Sequence, residues 1–340
     1  MAHQLKSPLT TIEYLRARTA IAEEALLAPP PQDALAEEWR SAHRKGLHED
    51  YWGRLILEFV EGQLGDAEEL FELWDAINRH EALVGSSRGK KFTRRFESPL
   101  GRALRRVGPN GDATVEQAFT FTWLFRGSEE QVSLVNANLL RREIYTGLIE
   151  RHVDEGTAII DLGSGWGRYS TLLASRFPGA RVFSGELSES GRRVTQLLSE
   201  RFDLGIHSFA FNYLDWGGLR EVVERTEADR WVVFSNHSME QVTYVDGGMF
   251  EFMLDASPDV RFLHVEPVGW QVASAGGESR CNAPKTSLGP HGGYNKNLIW
   301  IVQDLLQRGR IHQLSVDVDH LAFGNPHNAG TKVEFRSAPA

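Results

Sequence analysis

The segment 161–167 reads DLGSGWG, and these three alternating glycines constrain the fold more than any other feature of the 340-residue sequence. The segment follows the apolar run 158–161 and precedes the amphipathic stretch 168–177, so it joins a predicted strand to a predicted helix. Glycines at such a turn allow the backbone to approach a ligand closely, and the first N–H groups of the next helix attract polar or anionic groups. A dinucleotide fingerprint has glycines spaced G-x-G-x-x-G, whereas the third glycine here comes one residue early and Arg168 takes its place. The spacing therefore argues against NAD.

Short β-branched or aromatic runs alternate with amphipathic stretches from residue 157 onward. This alternation predicts an α/β fold, in which a mostly parallel sheet carries helices on its faces. Two strand candidates follow the last helix with only a loop between them, so we expect them to pair antiparallel at the end of the sheet. The predicted strands are 158–161, 181–184, 208–211, 231–235, 261–265, 311–318 and 331–336, and the predicted helices are 168–177, 188–202, 217–227, 238–255 and 294–308.

The first 150 residues are predicted to be helical, because apolar residues recur at intervals of three and four and strand-like alternation is not sustained. We therefore expect two domains, a helical region over 1–150 and an α/β domain over 151–340. The helical region is a candidate for part of the substrate pocket, a docking module or a homodimer surface. Its predicted helices are 10–28, 51–60, 66–82, 115–125 and 129–153.

Composition excludes several classes of site. Cys281 is the only cysteine, so an intramolecular disulfide and a cysteine-bound zinc or iron–sulfur centre are excluded. The formal net charge is -9, and the excess of acidic residues is shared by both halves, so we expect no binding to duplex nucleic acid. The chain begins without the pattern of a secretion signal and has no apolar run of membrane-spanning length. We expect a cytoplasmic protein that does not enter a membrane.

With Asp161 two residues before the first glycine, the loop resembles motif I of the class I S-adenosylmethionine (SAM)-dependent methyltransferases. The resemblance covers about residues 157–340. It implies a Rossmann-like, mostly parallel seven-stranded sheet, with SAM as cofactor and S-adenosylhomocysteine (SAH) as product. By this resemblance Gly163, Gly165 and Gly167 pack along the methionine part of SAM, and Asp161 helps to hold its amino group.

Two further acids follow the next two predicted strands. Glu186 ends the second strand, where the family places an acid that accepts both ribose hydroxyls of SAM. Asp215 follows the third strand, where the family often has an acid at the adenine amino group. The alternatives are a tight turn with solvated strand ends, a SAM-binding protein without catalysis, and a nucleotide-dependent oxidoreductase.

The segment 236–241, NHSMEQ, follows the fourth strand and faces the transferable methyl group in this fold. His237 is the predicted general base, because a neutral imidazole can take the proton of a hydroxyl near pH 7. Glu240 is predicted to orient that imidazole or the acceptor, and Asn236 to bind cofactor or substrate. The alternative is a structural role, in which Ser238 and Gln241 form a capping box at the start of the next helix.

Three more residues are predicted to bind substrate. Glu266 ends the fifth strand at the same edge of the sheet, and His291 and Tyr294 lie at the end of the long polar stretch 268–293. His264 is interpreted as a core histidine. His237, Glu240, Glu266 and His291 could jointly hold a divalent cation, but no pair has a tight ligand spacing, so no metal is expected.

The segment 88–106 carries eight basic residues and one acidic residue. It is either a solvated or intersubunit face or a contact for an anionic partner.

Together these features predict a methyltransferase that acts on a small molecule, and we expect the acceptor to be a hydroxyl of a sugar or natural product. A peptide or protein methyltransferase and a non-catalytic SAM-binding scaffold are the alternatives.

Overall fold

The computed structural model describes five stretches of the chain. Several predictions lie outside them, namely helix 10–28, the basic segment 88–106, Cys281, His291 and Tyr294. The described residues are 53–85, 120–125, 128–273, 295–323 and 328–338.

A nine-stranded mixed sheet forms the centre of these described stretches, and helices cover both of its faces. The strands are β1 (Thr120–Phe125), β2 (Ser128–Ser133), β3 (Ala158–Leu162), β4 (Arg181–Glu186), β5 (His207–Ala210), β6 (Arg230–Asn236), β7 (Asp259–Glu266), β8 (Ile311–Phe323) and β9 (Gly330–Ser337). The helices are α1 (53–63), α2 (Leu70–Gly85), α3 (Leu134–Glu150), α4 (Arg168–Arg176), α5 (Glu189–Phe202), α6 (Gly217–Glu224), α7 (Gly248–Ala256), α8 (Gly269–Ala273) and α9 (Leu298–Gln307), with a 3-10 turn at Met239–Gln241.

The strand order is β2-β1-β8-β9-β7-β6-β3-β4-β5. Strands β3 to β7 are parallel to one another. Beyond β7 the sheet continues through β9, β8, β1 and β2, and each of these strands is antiparallel to its neighbours. The chain leaves β3 toward β4 on one side and later returns to β6 on the other side. Ligands of open α/β sheets bind at such a reversal of strand order, beyond the carboxyl ends of the strands. The topology therefore places a binding site where β3 meets α4.

Strand β3 shows why the centre of the sheet forms. All five of its residues are buried, as expected for a parallel strand that is covered on both faces. Ile159 and Ile160 point to opposite faces and belong to separate hydrophobic clusters. One cluster is packed by α6, α7 and α9, and the other by α3 and α4.

The prediction of seven strands is wrong by two, because a hairpin of β1 and β2 extends the sheet. Residues 115–125 were expected to be helical, yet 120–125 pairs with β2 and with β8. The run TFTWLF is β-branched and aromatic, and only Arg126 and Gly127 separate it from β2, which is the length of a tight hairpin connection. Of the predicted helix 129–153, only Leu134–Glu150 is helical.

The predicted helix 238–255 is also wrong in its first part. It is divided into the 3-10 turn and α7, with a non-helical segment between them. Val245 in that segment makes two hydrogen bonds with the Asn297 side chain. The Val245 N–H donates to the Asn297 Oδ1 at 2.9 Å, and the Asn297 Nδ2 donates to the Val245 carbonyl at 2.8 Å. These long-range bonds replace the helical ones that the local pattern suggested.

Helices α1 and α2 pack on the α/β part of the molecule. Ile56 and Val60 of α1 and Trp74 and Ile77 of α2 share a hydrophobic cluster with Trp166 of the glycine loop and with α5. The Trp74 indole also donates a hydrogen bond to the carbonyl of Arg168 at 2.9 Å. The described helices of the N-terminal region therefore cover the loop, while the division of the chain at residue 150 stays a prediction.

Within the described ranges, no helix combines the length and apolar character that crossing a bilayer requires.

The contact between α2 and the α/β part predicts a loss of stability in Ile77→Ala. Ile77 is fully buried, so its truncation should lower the free energy of unfolding by about 2–5 kcal/mol. Glu72→Gln on the exposed face of the same helix is the matched control and should change it by no more than about 0.5 kcal/mol. Urea unfolding followed by fluorescence measures both. Equal effects of the two substitutions would contradict this packing.

Candidate functional site

A cavity of about 410 Å³ opens at the carboxyl ends of β3, β4 and β6. The glycine loop forms its floor, and α1 and α2 contribute Gly53, Ile56 and Glu81 to its wall. Its volume lies within the range of small-ligand sites. Of the residues predicted from sequence, six line it: Asp161, Gly163, Gly165, Glu186, Asn236 and His237.

The three loop glycines adopt left-handed backbone conformations, with φ of 68°, 61° and 79°. A Cβ on Gly163 would lie 2.4 Å from the Ser238 Cβ, and one on Gly167 would lie 2.4 Å from the Thr195 Oγ1. These two glycines are required for packing of the loop. A Cβ on Gly165 would meet nothing within 4 Å, because this position faces open space at the cavity. Gly165 therefore leaves room for a ligand to lie against the backbone.

Asp161 lies under the loop and is 1% exposed. Its Oδ2 accepts a hydrogen bond from the Ser170 hydroxyl at 2.7 Å. Burial raises the pKa of Asp161 to about 7; the bonds from Ser170 oppose the rise, and the charge of Glu186 adds to it. A cationic ligand group in the cavity would favour the ionised form.

Glu186 ends β4, and both of its carboxylate oxygens accept backbone hydrogen bonds. Oε2 accepts from the Gly165 N–H at 2.8 Å, and Oε1 accepts from the Ser188 N–H at 2.7 Å. A carboxylate can accept about four hydrogen bonds. The next residue, Leu187, also lines the cavity and is 41% exposed. It offers an apolar surface beside the carboxylate.

Asp215 does not line the cavity. It is exposed, and its Oδ1 lies 3.4 Å from the N–H of Gly217 at the start of α6. The turn from Asn212 to Asp215 aims this carboxylate away from the loop, and Asn212 and Tyr213 face the cavity instead. The predicted contact with adenine stays a prediction that this placement does not support.

Asn236 is the last residue of β6 and is held by two tyrosines. Its Oδ1 accepts a hydrogen bond from the hydroxyl of the buried Tyr145, and its Nδ2 donates to the Tyr169 hydroxyl at 3.3 Å. Because the amide is oriented from both sides, its position at the cavity wall is fixed. Tyr169 also lines the cavity.

His237 adopts a left-handed conformation with φ of 49°, which is uncommon for a residue with a side chain. Its Nδ1 lies 3.4 Å from the Glu240 Oε2. Burial lowers the pKa of His237, but the negative charges of Glu240 and Glu266 outweigh that effect, so the pKa is raised above its ordinary value. The cavity therefore has a partly exposed imidazole with increased affinity for a proton.

Glu266 and His264 lie beneath the cavity, and both are fully buried. Glu266 does not line the cavity, so the structure gives it no contact surface for a substrate. His264 packs among Phe250, Phe262 and Phe335, in agreement with its interpretation as a core residue. Burial lowers the pKa of His264 to about 3, so its ring is neutral.

Sequence reasoning missed an ion pair at the cavity wall. Arg168, the first residue of α4, pairs with Glu81 of α2, and its guanidinium lies 5.5 Å from the centre of the Trp166 ring. All three residues line the cavity. Trp166 and Arg168 could have been found from their place in and next to the glycine loop, whereas no local signal connects Glu81 with this site.

Among the residues that the structure describes, no group of three or more His, Cys, Asp or Glu side chains is arranged to hold a metal ion. The expectation that no metal is required stays a prediction.

Comparison with solved structures gives partial likenesses to methyltransferases. Coclaurine N-methyltransferase bound to N-methylheliamine and SAH matches at 14% identity with a TM-score of 0.31, over 42% of this chain and only 39% of that chain. An O-methyltransferase from Bacillus cereus in complex with SAH matches at 13% identity with a TM-score of 0.40, over 60% and 88%. The geranyl diphosphate C-methyltransferase from Streptomyces coelicolor A3(2), in complex with Mg²⁺, geranyl diphosphate and SAH, matches at 14% identity with a TM-score of 0.38, over 61% and 84%.

No protein-family model and no curated protein matches the sequence.

The buried carboxyl of Asp161 predicts a pH-dependent gain of stability in Asp161→Asn. Because folding raises the pKa from 3.8 to about 7, ionisation of Asp161 destabilises the native state progressively between about pH 4 and pH 7. Asparagine retains an acceptor for Ser170 and cannot ionise. The variant should therefore be more stable than wild type at pH 8, and its advantage should shrink toward pH 4. Between these limits the difference should change by at most about 1.4 kcal/mol per pH unit.

Urea unfolding at pH 4, 6 and 8 measures this difference. Asp215→Asn, at an exposed position, is the control and should show no such pH dependence. A constant difference between Asp161→Asn and wild type across this range would contradict the assignment.

Proposed function

We propose that the protein is a SAM-dependent methyltransferase that acts on a hydroxyl group of a small molecule. The observation that carries the proposal is the convergence of Asp161, Gly165, Glu186 and His237 on one cavity at the switch point of the sheet. They come from the ends of three strands, β3, β4 and β6, or from the loops after them, and each offers a different kind of contact.

The cavity fits the parts of SAM. The open position at Gly165 accepts the methionine part against the backbone, and the carboxyl of Asp161 lies below it as a partner for the ammonium group. Glu186 would accept hydrogen bonds from the ribose hydroxyls, and the exposed Leu187 would offer an apolar surface to the adenine ring. Arg168 provides a cation for the methionine carboxylate. When bound, SAM supplies an electrophilic methyl group.

His237 removes the proton of the acceptor hydroxyl as methyl transfer proceeds. When Glu240 is ionised, its carboxylate accepts a hydrogen bond from the Nδ1–H of His237, so the lone pair of the neutral imidazole is on Nε2. The neutral imidazole is the active form. Because the pKa of His237 is raised, we expect activity to fall on the acidic side at a pH above the ordinary histidine value of about 6.5.

The fixed amide of Asn236 and the hydroxyl of Tyr169 hold the reacting groups in place. Both lie on the wall between the glycine loop and the 236–238 turn, and both are fixed by hydrogen bonds within the protein. Positioning of two reactants in this way lowers the entropic cost of their reaction.

Isothermal titration with SAH, followed by an assay of SAH production from SAM with a library of sugars and natural-product hydroxyls, tests the proposal. We expect SAH to bind and at least one acceptor to give a methylated product. Absence of SAH binding would contradict the cofactor assignment. Binding without turnover across the library would favour a SAM-binding protein without catalysis.

The open space at Gly165 predicts that Gly165→Ala loses affinity for SAH. The added methyl group enters the cavity, so we expect a rise in Kd of at least about tenfold, equivalent to about 1.4 kcal/mol. Gly205→Ala is the matched control, because Gly205 also has a positive φ, of 64°, with open space at its Cβ, but lies outside the cavity. Titration of both variants with SAH makes the comparison. Similar losses of affinity would mean that backbone strain, rather than occupation of the cavity, causes the effect.

The role of His237 predicts that His237→Asn spares SAH binding and slows methyl transfer. Asparagine tolerates the left-handed backbone but cannot act as a base, so kcat should fall by about 10²–10⁴-fold with the acceptor found in the library. His207→Asn, an exposed position on β5, should leave kcat unchanged. Unchanged turnover in His237→Asn would remove His237 from the mechanism.

A further inference from the structure

Glu266 is a buried carboxyl group that the proposed reaction does not use. It ends β7, is fully buried, and reaches across to the end of the neighbouring strand β6. Its Oε1 accepts hydrogen bonds from the Ser235 hydroxyl at 2.8 Å and from the Ser238 N–H at 3.2 Å. A single oxygen of Glu266 therefore accepts hydrogen bonds from Ser235, before His237, and from Ser238, after it.

The turn over residues 236–238 is held from several strands. The His237 N–H donates to the carbonyl of Val265 at 3.1 Å, and the Ser238 hydroxyl donates to the carbonyl of Leu162 at 2.8 Å. His237 has a positive φ in this turn. A residue with a side chain keeps such a conformation only where its surroundings hold it there. Glu266 is the side chain that supports this turn from below.

The other oxygen of Glu266 is buried without a hydrogen-bond partner among the described residues. A buried carboxylate is costly unless a cation or a proton balances it. Among the residues that the structure describes, the charged and titratable groups that face it are His237, Glu240, Tyr145 and Tyr213. His237 is the one that can carry a positive charge, and it also faces Arg141 of α3.

Glu266 and His237 each shift the pKa of the other. Burial raises the pKa of Glu266 to about 7, His237 opposes the rise, and Glu240 adds to it. Conversely, Glu240 and Glu266 together raise the pKa of His237 above its ordinary value despite burial. The charge states of Glu266 and His237 are therefore coupled, and ionised Glu266 favours protonated His237.

We propose that Glu266 is a positioning residue for methyl transfer: its Oε1 fixes the turn that carries His237, and its negative charge stabilises the imidazolium that forms when His237 accepts the proton of the acceptor hydroxyl. The inference rests on the proposed function. The proton passes from the acceptor oxygen to His237 and afterwards to solvent, so Glu266 is not consumed and does not contact the substrate.

Glu266→Gln separates this role from a merely structural one. The amide keeps the volume and an acceptor for Ser235 and Ser238 but carries no charge, and a neutral group is tolerated where the carboxyl resists ionisation. Without the negative charge of Glu266, the midpoint of the His237 titration should be lower by roughly one pH unit. The acidic limb of the kcat profile should move in the same direction, and kcat at the plateau should fall by about tenfold with little change in KM.

The titration of His237 is followed by NMR of the full-length protein labelled at histidine. The chain has 12 histidines, and the signal of His237 is identified by its loss in His237→Asn. Glu334→Gln is the control, since Glu334 is a partly buried carboxylate of the same sheet that pairs with Arg151 and Lys332 instead. It should leave the titration of His237 unchanged.

An unchanged titration of His237 in Glu266→Gln, or an equal change in Glu334→Gln, would overturn the inference. The NMR comparison needs neither SAM nor an acceptor. If the wild-type protein transferred no methyl groups, the proposed function would be contradicted. The NMR comparison would still decide whether Glu266 affects the titration of His237.

Discussion

The site depends on how closely the glycine loop packs against its neighbours. Gly163 lies against Ser238 and Gly167 against Thr195, at separations that leave no room for a Cβ. These contacts bring the ends of β3 and β6 and helix α5 together at the point where the strand order reverses. A bulkier residue at either position would separate them, because backbone strain and steric overlap would act together. The cavity, the acid below it and the imidazole beside it follow from this packing.

The three carboxyl groups of the site differ in their surroundings. Glu186 lies at the cavity surface and is satisfied by backbone N–H groups, whereas Asp161 and Glu266 lie below it with pKa values raised to about 7. Burying carboxyl groups in this way reduces stability at neutral pH. Each has a cationic partner when the site works as proposed: the ammonium group of SAM for Asp161 and the imidazolium of His237 for Glu266.

The sequence was sufficient to predict the parallel strands, the loop and the acid at the end of β4, because each depends on a local pattern. The hairpin of β1 and β2 was missed because its pairing with β8 joins residues about 200 positions apart, and spacings of three and four in the same segment imitated a helix. Asp215 was predicted from its residue type and its place after the third strand, whereas the turn that leaves it outside the cavity had no visible signal in the sequence. The contact of Glu81 with Arg168 depends on tertiary packing alone.

We propose that the cavity over the glycine loop binds SAM with the ribose at Glu186 and the reacting end beside Asn236 and His237. A crystal structure of the protein with SAH tests it most directly. We expect electron density for SAH in this cavity, with both ribose hydroxyls on the Glu186 carboxylate and the sulfur atom nearest the end of β6. Density for SAH at another site, or in this cavity with the adenine and methionine ends exchanged, would contradict the account.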